Sequence, residues 1–166
     1  LAVFGGFING LFSLQIYQGL ARFVGDFTTS VDEKKSFAST GLYTIILMFT
    51  LFAVIVFSNK TYFSKQLIGE NGESLLILFT LQLFISNVFN YLNTYIRYER
   101  HVKLFSLISF FHSLLNIGLI LYLVAGLSLG IESIYYASLL IGFLFILFQL
   151  TYLRKKLTLR FSKSHL

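Results

Sequence analysis

Gln82, Ser86, Asn90, Asn93 and Arg97 recur at steps of four, four, three and four within an otherwise apolar run. At about 100° per residue they fall in a stripe of roughly 80° on one helix face. Asn87 and Thr94 sit beside it. Gln15, Gln18 and Arg22 share a second face, which Asp26 continues, and Ser109, His112, Ser113 and Asn116 make a third. Amides and hydroxyls both donate and accept hydrogen bonds, and a guanidinium takes a carboxylate or a phosphate. The chemistry available is therefore the binding of a polar or anionic group. The chain has no Gly-x-Ser-x-Gly, no phosphate-binding glycine loop, no His-Glu-x-x-His and no cysteine. We read no enzyme, no metal site and no cofactor from it.

The surroundings of these stripes set their meaning. The chain has 166 residues, of which 56% are hydrophobic and only 12% charged. A soluble domain carries about a quarter charged residues. Half that fraction leaves most of the surface away from water, which indicates an all-α, polytopic integral membrane helix bundle. Five apolar segments are expected to span, at about 1–24, 37–57, 75–96, 104–125 and 129–153, followed by a basic tail over 154–166. Each is about 20 residues or longer, enough for a hydrocarbon core of roughly 30 Å. The second and fifth have no charged face, which a soluble bundle would need. Strands of a barrel would be about half as long and strictly alternating.

The basic residues orient the segments. The first connector holds Arg22, Lys34 and Lys35, the third Arg97, Arg100 and Lys103, and the tail Arg154, Lys155, Lys156, Arg160 and Lys163. These are eleven of the 13 basic residues; only Lys60 and Lys65 lie on the other side. By the positive-inside rule the eleven are cytoplasmic. A basic run after a membrane helix is a topology and anionic-lipid signal, so nucleic acid is not expected as a partner. The first segment then runs inward. Together with an apolar start at Leu1, this is expected of a fragment that lacks a first helix.

Local signals fit this plan. Ser30-Val31-Asp32-Glu33 matches a capping box and starts the second helix near Val31. Asn71-Gly72 and Ser74 supply a turn and a start for the third. Tyr62, Phe63, Leu67 and Ile68 predict a short interfacial helix in the outer loop. Gly126 to Ser128 reads as the turn between the last two segments. Asn59-Lys60-Thr61 reads as a chance glycosylation match, and Glu132 as a favourable charge at a helix start.

Two readings stand for the polar stripes. Ser, Thr, Asn and Gln hold membrane helices together, and this is expected of the Ser and Thr positions. Four uncharged polar positions and an Arg on one face of the third segment exceed what a single helix contact needs, and predict a wet groove. Arg22 and Arg97 are either anchors that snorkel to headgroups or cations of that groove. His112, alone at mid-depth, reads as a packing residue.

Gly19-Leu20-Ala21-Arg22-Phe23, followed by Asp32-Glu33-Lys34-Lys35, resembles the end of the second helix and the next loop of a known family. The family is the bacterial polysaccharide flippases, the O-antigen and capsule exporters of the multidrug/oligosaccharidyl-lipid/polysaccharide exporter superfamily. Tyr95-Ile96-Arg97-Tyr98-Glu99-Arg100 is similar to its fourth-to-fifth helix connector, and Leu129-Gly130-Ile131-Glu132-Ser133 to its turn into the sixth helix. The resemblance implies the partial first lobe of a two-lobed transporter in the bacterial inner membrane. It implies a flippase of undecaprenyl-pyrophosphate-linked oligosaccharide, moved from the cytoplasmic to the periplasmic leaflet by alternating access. The implied partners are that substrate, membrane lipids and the polysaccharide polymerase or ligase machinery. Arg22 and, less closely, Arg97 match the family's cavity cations, with Gln15, Gln18, Asn90 and Asn93 offering hydrogen bonds to sugar hydroxyls. The rival readings are a cation-coupled drug or metabolite antiporter of the same superfamily and a non-transporting membrane scaffold subunit.

Overall fold

A computed structural model describes residues 2–12, 31–69 and 72–154. Among the described residues there are six helices and no strand: α1 (Ala2–Phe12), α2 (Val31–Ser58), α3 (Lys60–Leu67), α4 (Glu73–Tyr98), α5 (Val102–Leu127) and α6 (Glu132–Leu153). Long apolar runs without proline leave the backbone one solution in lipid, because only a helix satisfies every N–H and C=O within its own segment.

Four of these helices, α2, α4, α5 and α6, are long and apolar enough to cross a membrane. Four of the five expected spans are therefore seen among the described residues. Of the expected first span, α1 covers Ala2–Phe12. The remainder of that segment, with Gln15, Gln18, Arg22 and Asp26, lies outside the described residues, as do Ser30 of the capping box and the tail from Lys155.

Three of the spanning helices are longer than the expected apolar runs, and α6, with 22 residues, is shorter. Helix α2 has 28 residues and starts at Val31, and α4 and α5 have 26 each. Helix α5 continues through Gly126 to Leu127, so the expected turn moves to 128–131. Ser128 takes the left-handed conformation (φ 52°, ψ 27°) and the Leu129 amide returns to the Leu123 carbonyl at 3.2 Å. The Ser128 amide donates to the same Leu123 carbonyl, so one acceptor near the helix end takes both. The Ser133 hydroxyl then donates to the Gly130 carbonyl at 2.6 Å at the start of α6.

The expected outer-loop helix is α3. Its C-terminus is closed by Gly69 at φ +128°, a conformation open to glycine. The Ser64 carbonyl accepts from the Ile68 and Gly69 amides. Lys60 pairs with Glu73 at 2.9 Å and the Thr61 hydroxyl donates to the same carboxylate at 2.7 Å, fastening α3 to the start of α4.

Helix α4 is the hub, touching α1, α2, α3, α5 and α6. Leu76, Val88, Leu92 and Ile96 are buried along it, and the Tyr91 hydroxyl donates to the Ala38 carbonyl of α2 at 2.7 Å. Helix α6 runs parallel to α4: Phe79 meets Tyr135 near their starts and Phe89 meets Phe145 further along. Helix α5 lies antiparallel to both and buries only Ile108. Its exposed Leu107, Phe110, Leu114 and Ile117 form the kind of surface that lipid covers.

Hydroxyls join helices at Ser109, which meets Asn93, and at Ser138, which meets Asn116, while four threonines also bond their own helix. Thr40, Thr44, Thr80 and Thr151 each donate to the carbonyl four residues back on their own helix. A hydroxyl on an apolar helix meets that carbonyl first, because it is the acceptor its rotamer brings closest.

Candidate functional site

The polar stripe of α4 opens onto a groove of about 560 Å³ between α4 and α5. Ser86, Asn90, Asn93, Thr94 and Arg97 of α4 face Phe105, Ser109, His112 and Ser113 of α5 across it, with Phe89 in the wall. Asn9 of α1 contributes a third side. The arrangement follows from two helical periods. Steps of three and four keep the α4 residues on one face, and Ser109, His112 and Ser113 do the same on α5. The short turn over 99–101 makes the two helices antiparallel neighbours, so the faces meet.

The groove has a polarity along its length. At one end Arg97, in the last turn of α4, is exposed. Its guanidinium carbon stands 5.7 Å from the ring centres of both Tyr98 and Phe105. Those rings hold the cation by their negative faces without neutralising it. No salt bridge to Arg97 and no carboxylate lining the groove occurs among the described residues. Further in, Asn93 is buried and its Nδ2 donates to Ser109 Oγ at 2.9 Å. Its Oδ1 is buried without a partner. Asn90 is exposed to the groove.

His112 forms the inner wall. Its ring stacks on Phe89 at 4.1 Å and meets Phe145 of α6 edge-on at 5.4 Å. The packing expected of it is seen, and the same ring also lines the groove. Behind α5, on its α6 side, lies a second groove of about 500 Å³ lined by Leu104, Leu107, Ile108, Phe111, Leu144 and Phe148. It is wholly apolar and suits lipid chains. Helix α5 thus separates a polar groove from an apolar one.

Of the residues expected at a site, Asn90, Asn93 and Arg97 come together here. Gln15, Gln18 and Arg22 lie outside the described residues. The stripes are not used whole. Gln82 is half-buried and does not line the groove, and Asn116 turns away to accept from the Ser138 hydroxyl of α6 at 3.4 Å. Asn9 and Phe105 were not anticipated. Asn9 is a single amide in an apolar run, and its position off the 15–18–22 face kept it out of any stripe.

None of the family models, curated proteins or solved structures compared with the chain matches it.

The groove's own chemistry is what can be read. The groove presents one guanidinium, three amides, four hydroxyls and an imidazole. A guanidinium pairs with anionic groups, and amides and hydroxyls pair with other hydroxyls.

Proposed function

We propose that this chain is part of a membrane transporter that flips undecaprenyl-pyrophosphate-linked oligosaccharide from the cytoplasmic to the periplasmic leaflet of the bacterial inner membrane. In this reading Arg97, and Arg22 beyond the described residues, attract the pyrophosphate or an acidic sugar. Asn90 and Asn93, with Gln15 and Gln18, bind sugar hydroxyls, while the lipid chain stays in the bilayer. Transport requires two conformations that bind the ligand differently and no chemical step.

The observation that carries the reading is the meeting of Asn90, Asn93 and Arg97 with Ser109 and His112 on one groove. The four long apolar helices support the membrane setting, and the resemblance of the Arg22, Arg97 and Glu132 segments supports the choice of substrate. The polymerase or ligase machinery would then act on the delivered substrate.

A flipping assay on the full-length protein tests it. Arg97→Ala and Arg22→Ala are expected to lose most transport. Arg97→Lys is expected to recover only part, because an ammonium lacks the two-pronged contact of a guanidinium with phosphate. A snorkelling anchor would tolerate lysine fully. Wild-type transport by both alanine variants overturns the proposal.

A further inference from the structure

Two layers stack where α4, α5 and α6 meet. The first is aromatic. Phe89 and His112 lie face to face, and Phe145 closes the triangle edge-on, 6.3 Å from Phe89 and 5.4 Å from His112. One turn toward the Arg97 end, every helix of the triangle carries a polar residue. Asn93 follows Phe89 by four, Gln149 follows Phe145 by four, and Ser109 precedes His112 by three on the antiparallel α5. Residues three or four apart on a helix share a face, about 5–6 Å along the axis. Asn93, Ser109 and Gln149 therefore form the next layer of the same junction. The hydrogen bond from Asn93 Nδ2 to Ser109 Oγ, 2.9 Å, joins two of the three.

The rest of this layer is unpaired. Gln149 is fully buried and neither its Oε1 nor its Nε2 has a partner; nor has Asn93 Oδ1. A buried polar group left unpaired destabilises the fold, so three such atoms in one layer call for a guest. An anion would meet two carbonyl oxygens. A cation would meet the Gln149 Nε2 hydrogens and the Arg97 guanidinium a turn away. An apolar group would pair none of the three. A neutral O–H group donates to an amide oxygen and accepts from an amide nitrogen, and so fits the unmet capacity.

We propose that Asn93, Ser109 and Gln149 form a buried hydroxyl subsite at the floor of the groove. It takes the O–H of water when the groove is empty. The O–H of a polyhydroxylated ligand replaces it when the groove is filled, and this second role rests on the transporter reading. Asn93 and Ser109 line the groove, so a ligand hydroxyl reaches the layer past them. Gln149 is then a binding residue on a helix whose other faces meet protein and lipid.

The test is radiolytic hydroxyl labelling of the full-length protein in lipid nanodiscs, read by mass spectrometry at Phe145, with exposed Phe143 as the lipid-facing control. Water held in the layer labels Phe145 well above Phe143. Gln149→Leu is expected to reduce the Phe145 signal severalfold, and Ser109→Ala, a smaller change, to reduce it in the same direction. Thermal unfolding of both variants near the wild-type temperature establishes that they fold. Glucose 1-phosphate is the probe for the ligand source. Protection of Phe145 by it in wild type, lost in Gln149→Leu, assigns the subsite to ligand hydroxyls as well as water. Phe145 labelling equal to that of Phe143, unchanged by either variant, overturns the proposal. None of these readouts needs transport, so the water site can stand if flipping fails, and flipping can stand if the layer proves dry.

Discussion

His112 lies flat against Phe89, with ring centres 4.1 Å apart and planes 17° from parallel. With the Asn93–Ser109 hydrogen bond, this contact ties α5 to the hub helix, on a helix that otherwise buries little. Aromatic pairs of this kind contribute about 0.5–1.5 kcal/mol beyond the area they bury. His112→Ala is expected to destabilise the fold by that order, seen as a lower unfolding temperature in detergent. His112→Phe keeps the ring and is expected to unfold near wild type. An equal loss in both variants would show that the imidazole nitrogens, not the stack, hold α5.

Gly142 sets the distance between α4 and α6. A Cβ placed there would stand 2.6 Å from Ile85 Cγ2. The branched side chain of Ile85 has little rotamer freedom to move aside. Gly142→Ala is expected to cost about 1–3 kcal/mol through overpacking. Ile85→Ala removes the obstructing methyl, so the double variant should be more stable than the sum of the two single changes predicts. Chemical unfolding of the four proteins in mixed micelles measures that coupling.

Ser128 closes α5 in the left-handed region. A side chain there costs about 1 kcal/mol that glycine avoids. Ser128→Gly should raise the unfolding temperature by a few degrees and Ser128→Val should lower it. The opposite order would show that the serine side chain carries the turn.

Asn90 and Asn93 sit one turn apart with different access. Asn90 is exposed to the groove and Asn93 is 6% exposed. The chain has no native cysteine, so a single Asn90→Cys or Asn93→Cys reports alone. A water-soluble thiol reagent is expected to modify the first readily and the second much more slowly. Two unreactive positions would favour a scaffold subunit whose stripes are sealed by neighbouring helices.

The membrane class, the helical architecture and the stripe of α4 are legible in the sequence because each depends on local periodicity. Long apolar runs can only be helices in lipid, and steps of three and four place Asn90, Asn93 and Arg97 on one face whatever lies opposite. The short helix α3 is local in the same sense. The fate of each face is not local. Thr40 and Thr44 bond their own helix, Asn116 turns to α6, and Gln82 misses the groove, although periodicity treats them like their neighbours. Asn9 joins the groove from a different segment, and Gln149, one polar residue in an apolar helix, becomes a fully buried amide. The fates of Asn116, Asn9 and Gln149 depend on which helix packs beside which, and at what height. Close approaches such as Gly142 to Ile85 decide that, and they join residues far apart in the chain.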